Sequence, residues 1–104
     1  MAALVVLTTA PDLKTARLLA RTLVMKKAAA CVSFREGFIS TYRWKGRLEQ
    51  SREAMLVIKT TRKNFSKIKN LIIQYHPYSV PEIVALPVNR ISSSYSEWLE
   101  KSVE

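Results

Sequence analysis

The sequence of 104 residues has few of the residues that interrupt or cross-link a chain, with two glycines, four prolines and one cysteine. Because glycine and proline are scarce and no low-complexity tract is present, disorder is not expected. Cys31 has no second cysteine for an intrachain disulfide and no CxxC neighbour. It follows three alanines, a small apolar context that favours a buried structural thiol over a reactive or metal-bound one.

A long apolar run is also missing. Residues 1–7 are apolar over too short a stretch to span a bilayer, and they lack the basic start and cleavage pattern of a signal peptide. We therefore expect a cytoplasmic protein that does not contact a membrane. The length fits one domain, residues 1–104, with a single modest core, and an apolar fraction of 48% fits a globular protein.

Acidic residues are the third scarcity, with 8 against 17 basic residues and a net charge of +9. Such an excess favours anionic partners if the charge is concentrated on one surface. Along the sequence it is dispersed. Lys14, Arg17 and Arg21 recur at helical spacing opposite an apolar face, and such rows are typical of solvated helix surfaces that keep a protein in solution.

The first third of the chain predicts a strand and a helix. Residues 4–8 are β-branched and leucine-rich without polar alternation, as in an inner strand. Asp12 then supplies a carboxylate to cap a helix over residues 13 to about 27. The apolar positions of that helix follow a period near 3.6; they are Leu13, Ala16, Leu19, Ala20, Leu23 and Val24.

The middle of the chain predicts a long β-hairpin. Residues 29–44 follow a pattern with a period nearer two, and Arg35-Glu36-Gly37 interrupts this first arm where a bulge or bend is expected. The chain returns through residues 48–60, which are most apolar at Met55-Leu56-Val57-Ile58. Trp44-Lys45-Gly46-Arg47 forms the turn, in which Gly46 can adopt a positive φ. At roughly 3.3 Å per residue both arms extend beyond a compact core. We expect the projecting arm to pack against another copy of the chain.

A second helix, a strand and a short helix complete the sequence. Thr60-Thr61 offers a hydroxyl cap for a helix whose apolar stripe is Phe65, Ile68, Leu71, Ile72 and Tyr75. Residues 83–88 form a strand that Pro87 restricts to an edge, because proline cannot donate to a ladder. Ser94-x-x-Glu97 then fits a capping box before a short helix with Tyr95, Trp98 and Leu99 as its apolar residues.

The order βαββαβ plus a C-terminal helix predicts an α+β, ferredoxin-like fold. Right-handed crossovers place both main helices on one face of an antiparallel sheet. The opposite face is also apolar, so we expect it to be covered by oligomerisation. An RNA-recognition role fits the strand order, but the central strands carry Val5-Val6-Leu7 and Met55-Leu56-Val57-Ile58 in place of exposed base-stacking aromatics. Nucleic acid is therefore not the expected partner.

Residues 75–83 form a rigid connector between the second helix and the last strand, which we call the elbow. Pro77 and Pro81 push the residues before them toward extended geometry, so the helix is expected to end at about His76. The elbow concentrates an imidazole, a phenol, a hydroxyl and a carboxylate in one short segment. A connector that only caps helix carbonyls is the alternative interpretation.

Several blocks together resemble the CutA divalent-cation tolerance proteins over essentially the whole chain. They are Val6-Leu7-Thr8-Thr9-Ala10-Pro11-Asp12, Ala29-Ala30-Cys31-Val32, Tyr42-Arg43-Trp44-Lys45-Gly46-Arg47-Leu48-Glu49-Gln50, Lys59-Thr60-Thr61, His76-Pro77-Tyr78-Ser79-Val80-Pro81-Glu82-Ile83 and Tyr95-x-x-Trp98-Leu99. The resemblance implies a cytosolic homotrimer similar in architecture to the PII signal proteins, with the hairpin reaching a neighbouring subunit. It also implies a link to copper and other divalent cations, and no catalysed reaction.

The metal site that the resemblance implies is only partly present. Bacterial members assigned a copper site use a cysteine near the end of the first strand and two adjacent histidines before the Pro-Tyr pair. This chain has Thr8, Tyr75 and His76 at those positions. His76 is therefore the one residue carried over as a ligand for Cu(II) or another divalent cation.

We expect a non-enzymatic, metal-responsive or ligand-sensing trimer with a pocket between subunits. The residues predicted to line it are Lys59, His76, Tyr78, Glu82, Trp44 and Glu49. Small-ligand signalling of the PII type without a physiological metal is the alternative. An enzyme using Lys59, His76 and Glu82 as an acid-base set is a further one, but no nucleophile has an evident activator.

Overall fold

A computed structural model describes residues 3–104 and confirms the predicted order of elements. Strand β1 (Ala3–Ala10) leads into helix α1 (Leu13–Met25), and strands β2 (Cys31–Trp44) and β3 (Arg47–Thr61) form the long hairpin. A 3₁₀ turn (Arg62–Asn64) precedes helix α2 (Phe65–Tyr75), which is followed by strand β4 (Val84–Pro87) and helix α3 (Ser93–Ser102). The fold is α+β with one antiparallel sheet.

The four strands lie in the order β2-β3-β1-β4, and every neighbouring pair is antiparallel. β1 therefore pairs with β3 on one side and with β4 on the other. The strand containing Pro87 lies at an edge, as its missing donor predicts. It begins one residue later than expected and ends at Pro87 itself, after which Val88 N–H still donates to Ala3 O at 3.1 Å.

The core lies between one face of the sheet and helices α1 and α2. Alternate residues of β1 and β3 point to these helices, since a strand turns successive side chains to opposite faces. The buried set is Leu4, Val6, Leu56 and Ile58 from the sheet with Ala16, Leu19, Leu23, Ile68 and Ile72 from the helices. Val24 does not join this set, because 41% of its surface is exposed.

The two main helices begin and end partly as predicted. Asp12 caps α1 by accepting from Thr15 N–H at 2.8 Å. α1 ends at Met25 because Lys27 adopts φ 57°, and Ala28 N–H turns back to Leu23 O. The predicted threonine cap of α2 is wrong: Asn64 precedes α2, and Thr61 before the 3₁₀ turn makes no side-chain capping bond.

The capping box expected at Ser94 is also wrong. α3 begins at Ser93, so Ser94 lies inside the helix, and Ser92 is the residue that precedes it. Glu97 instead accepts from Lys101 at 3.0 Å, an ordinary pair one helical turn apart. The helix contacts β3 and buries Leu99.

The hairpin confirms both of its predicted irregularities. The pairing of β2 with β3 shifts between Arg35 and Phe38, where Gly37 adopts φ 98°. At the tip, Lys45 and Gly46 both have positive φ, which is a type I′ turn. The molecule is elongated to 45 × 26 × 23 Å.

The sheet face opposite α1 and α2 exposes apolar side chains in the single chain. The register places Val5 beside Leu86 and Leu7 beside Val84. The set that shares this face is Val5, Leu7, Met55, Val57, Val84 and Leu86. All six are partly or substantially exposed.

Within residues 3–104, no helix has both the length and the hydropathy needed to cross a membrane.

Candidate functional site

The elbow is positioned by the end of α2. His76 N–H donates to Ile72 O at 2.8 Å, the last bond of the helix, and the His76 backbone is already extended with φ −84° and ψ 136°. The helix therefore ends where Pro77 predicts. This fixed exit turns the next residues toward the end of β1, so that the His76 ring reaches the Thr9 backbone.

The His76 imidazole is buried and uses both of its nitrogens. Nε2 lies 2.6 Å from Thr9 O, and Nδ1 lies 3.1 Å from Tyr78 N. A backbone N–H can only donate and a carbonyl can only accept, so Nδ1 is the acceptor and Nε2 carries the proton. His76 is thus a neutral imidazole that joins α2, β1 and the elbow.

Tyr78 extends this arrangement to β3. Its ring centroid lies 4.7 Å from that of His76, and its hydroxyl donates to Glu53 Oε2 at 3.0 Å. Burial, followed by the hydrogen bond and charge of Glu53, raises the pKa of Tyr78 to about 12. The phenol therefore remains protonated at neutral pH and holds the Glu53 carboxylate in place.

A groove of about 360 Å³ lies between the elbow, the end of β1 and the hairpin. Its size is at the lower end of the range for small-molecule sites, about 300–1,000 Å³. The lining residues are Thr9, Tyr42, Trp44, Glu53, Tyr78, Ser79, Val80 and Glu82. Two carboxylates and three aromatic rings thus face one cavity.

Three of the predicted site residues come together in this groove: Tyr78, Glu82 and Trp44. His76 lies behind the groove wall and supports Tyr78. Lys59 is elsewhere: its ammonium group donates to Ser33 Oγ at 3.0 Å and lies 4.0 Å from Cys31 Sγ. It lies six positions after Glu53 in β3, about 20 Å along a strand.

Glu49 is the other predicted residue outside the groove. It is exposed and pairs with Tyr42 across the hairpin. The Lys59, His76 and Glu82 set considered for acid-base chemistry is not assembled. Lys59 instead bonds to Ser33 of β2, near the end of β3 and away from the groove. Geometry within hydrogen-bond reach is the first requirement of such a set.

Glu53 and Tyr42 are the important lining residues that the sequence reasoning missed. Glu53 is a carboxylate only 8% exposed, immediately before the apolar end of β3. A lone acidic residue at such a position is a usable signal, because Glu is almost never buried without a partner. Tyr42 has no comparable signal in the sequence, because its place in the groove follows from the bulge that sets the register of the hairpin.

The donor groups of one chain do not fit a divalent cation. Both His76 nitrogens are engaged, and an ion at the imidazole would have to displace Thr9 O or Tyr78 N–H. In the part of the chain that the structure describes, no three His, Cys, Asp or Glu side chains are grouped as metal ligands. Thr8, one of the two positions where this chain lacks the implied ligand, is fully buried on the helix side of β1. The metal role of His76 remains a prediction.

Comparison with known proteins gives consistent matches over nearly the whole chain. The family model described as CutA1 divalent ion tolerance protein matches residues 4–102. A divalent-cation tolerance protein CutA of Thermus thermophilus is 43% identical over 98 residues, covering 94% of this chain and 95% of the relative.

Solved structures agree with this. The divalent cation tolerance protein Cut A1 of Thermus thermophilus superposes with a TM-score of 0.96 at 41% identity, covering 98% of this chain and 99% of that one. An Archaeoglobus fulgidus structure is described as a periplasmic divalent cation tolerance protein CutA. It superposes with a TM-score of 0.95 at 30% identity, and the match covers 98% of this chain and 99% of that one.

Proposed function

Because the chain belongs to the CutA1 divalent ion tolerance protein family, we propose that it serves divalent-cation tolerance as a homotrimer and catalyses no reaction. The observation that carries the proposal is the apolar sheet face left open beside the groove. In this arrangement the groove is one wall of a ligand site, and a neighbouring subunit completes it.

The open face supports self-association by its composition and position. Val84 and Leu86 are each nearly half exposed in the single chain, and they continue the half-buried row of β1 and β3. The projecting hairpin adds Phe38, which pairs with Glu53 and so lies on the same face as Met55 and Val57. Monomeric proteins rarely expose a contiguous apolar patch of more than a few hundred Å², so a second copy is the simplest cover.

The mass in solution tests the assembly. Light scattering on the purified full chain should give about three times the chain mass of 11.9 kDa. A monomer at micromolar concentration contradicts both the trimer and the shared ligand site. Growth of cells lacking the protein, in medium with added Cu(II), tests the tolerance function: the wild-type chain should restore growth.

In this proposal a divalent cation, Cu(II) included, binds only where subunits meet, because residues 3–104 of one chain bring no three His, Cys, Asp or Glu side chains together. Isothermal titration of the assembled protein with Cu(II) and with Zn(II) tests this, with His76→Ala and Glu82→Gln as variants. Loss of binding in Glu82→Gln places the ion in the groove, and loss in His76→Ala alone assigns it to the imidazole. Unchanged binding in both contradicts a metal function at this site.

A second candidate is a PII-like protein that binds a small ligand and no physiological metal. The engaged His76 ring and the aromatic lining of the groove favour it. Protein that restores growth in Cu(II) but shows no heat of Cu(II) binding would support this candidate.

The proposed location is the cytoplasm. The Archaeoglobus fulgidus relative is described as periplasmic, so the compartment is decided by fractionation of cells that express the full-length protein. Recovery with a cytoplasmic marker is the expected result.

A further inference from the structure

The groove has the opposite electrostatic character from the rest of the molecule. The chain has 17 basic and 8 acidic residues, yet no lysine or arginine lines the groove. Two of the eight acidic residues, Glu53 and Glu82, line it. A cavity with two carboxylates and no basic side chain attracts cations and repels the phosphates and carboxylates that bind most basic surfaces.

Of the two carboxylates, Glu53 is the stronger evidence for a cation site, because it is buried. Its residue surface is 8% exposed, and its hydrogen-bond partner is the neutral Tyr78 hydroxyl. The ion pairs found among residues 3–104 join Lys27 to Glu104 and Lys101 to Glu97. Glu53 therefore lies buried without a cation of its own chain, an arrangement that is costly unless a positive group approaches.

The remaining walls suit a cation that also has apolar surface. Tyr42, Trp44 and Tyr78 contribute partly exposed aromatic rings. Lys45, which is not among the lining residues, brings its Nζ to 6.0 Å from the centroid of the Trp44 ring, so an ammonium group of the chain itself approaches this ring. Aromatic faces attract ammonium groups, because the ring carries negative charge density on its faces. A hydrated metal ion gains little from aromatic walls, because it requires several oxygen or nitrogen ligands.

We propose that the groove binds an organic ammonium ion, with its positive nitrogen between Glu53 and Glu82 and its alkyl groups against Trp44 and Tyr42. This inference rests on the proposed ligand-binding function and names the chemical class of the ligand. His76 and the Tyr78 hydroxyl act as positioning groups, since they hold the elbow and the Glu53 carboxylate without contacting the ligand.

Choline is a suitable probe, because it carries a quaternary ammonium group of small size. Its uncharged analogue, in which carbon replaces the quaternary nitrogen, has nearly the same shape. Binding to the assembled full chain is followed by Trp44 fluorescence in a Trp98→Phe background, since Trp44 and Trp98 are the two tryptophans. Choline should change the emission with saturation, and the analogue should bind at least about tenfold more weakly.

Glu53→Gln is the decisive variant. The glutamine amide oxygen can still accept from the Tyr78 hydroxyl, so the fold is kept while the charge is lost. Choline affinity should fall by about tenfold or more, as expected for a charged contact. Glu97→Gln, which removes an acidic group of α3 that is not among the groove residues, is the matched control and should bind as the wild type does.

Equal binding of choline and its uncharged analogue overturns the inference, as does unchanged affinity in Glu53→Gln or no saturable signal with choline. Tyr78→Phe gives a second measurement that does not alter any charge: it should weaken choline binding less than Glu53→Gln does. A trimer that restores growth in Cu(II) but does not bind choline refutes this inference alone. A monomer refutes the proposed function first.

Discussion

Thr8 and Thr60 show how the same side chain has different consequences at two buried positions. Both hydroxyls are fully buried on the helix side of the sheet. Thr60 Oγ1 donates to Ala28 O at 2.6 Å and so connects β3 to the segment after α1. Thr8 Oγ1 has no hydrogen-bond partner within residues 3–104. One hydroxyl stabilises the fold, and the other is a desolvated polar group without compensation.

Replacement of each threonine by valine should therefore have different effects on the free energy of unfolding. Thr60→Val should lower it by about 1–3 kcal/mol, because Ala28 O loses its buried donor. Thr8→Val should leave it unchanged or raise it by up to about 1 kcal/mol, because only an unsatisfied hydroxyl is removed. Urea unfolding at equal chain concentration measures both. Equal destabilisation by the two substitutions would mean that Thr8 has a partner in solution, such as an internal water.

Tyr78 supplies the pH-dependent prediction at this scale. Its pKa is raised from 10.0 to about 12, first by burial and then by the Glu53 carboxylate. A raised folded-state pKa gives a stabilising contribution that is complete below pH 10 and is lost as the pH rises through about 12.

Ultraviolet titration of wild type against Tyr78→Phe isolates this phenol and should place its ionisation near pH 12. Glu53→Gln should lower that midpoint, because a negative neighbour is removed. The free energy of unfolding should fall less steeply above pH 10 in Tyr78→Phe than in the wild type. A midpoint that does not change in Glu53→Gln would contradict the 3.0 Å contact between the two side chains.

The hairpin turn is the clearest case at the scale of elements. Lys45 adopts φ 51° and Gly46 adopts φ 77°, so both central residues are left-handed, as a type I′ turn requires. Lysine is an unfavourable residue at such a position, and Asn-Gly is the preferred pair. No heavy atom beyond the adjacent residues lies near the missing Cβ of Gly46, so its requirement is conformational and not steric contact.

Lys45→Asn should raise the melting temperature, and Gly46→Ala should lower it, the latter corresponding to about 1–2 kcal/mol for a left-handed residue with a Cβ. Calorimetry of both variants measures the difference. If Gly46→Ala melts like the wild type, the hairpin tip unfolds separately from the core. The part of the sheet on the core side of Arg35 and Phe38 would then unfold as one cooperative unit.

The elements of this chain were predictable because their signals are local. The period of α1, the break at Gly37 and the proline pair of the elbow each act within a few residues, and each is confirmed. The groove is a different kind of feature. Glu53 is buried only because β3 pairs with β2 across the bulge and the elbow returns to β1. Lys59 does not reach the groove, because the extended strand carries it away from Glu53.

The whole molecule has three distinct surfaces. The outer side of α1 and α2 is basic, and Asp12 is the one acidic residue of the segments 12–26 and 62–75; the exposed cations of these segments are Lys14, Arg17, Arg21, Lys26, Arg62, Lys63, Lys67 and Lys69. The groove is acidic and aromatic, and the opposite sheet face is apolar. Charge that is dispersed in the sequence is thus concentrated by the fold, because both helices lie on one side of the sheet. Like charges keep helix layers of different chains apart, which favours the apolar face as the surface for the proposed association.

A matched pair of leucines tests this division of surfaces. Leu86 on the sheet face and Leu18 on the helix layer are each 48% exposed in the single chain, so exposure alone predicts the same result for both. Leu86→Lys should dissociate the assembly, because it introduces an unpaired charge into a desolvated interface in every subunit. Leu18→Lys should leave the mass unchanged, since it adds one more cation to a surface that remains in water. Light scattering over a range of concentrations distinguishes them, and dissociation by Leu18→Lys with an intact Leu86→Lys assembly would place the interface on the helix layer.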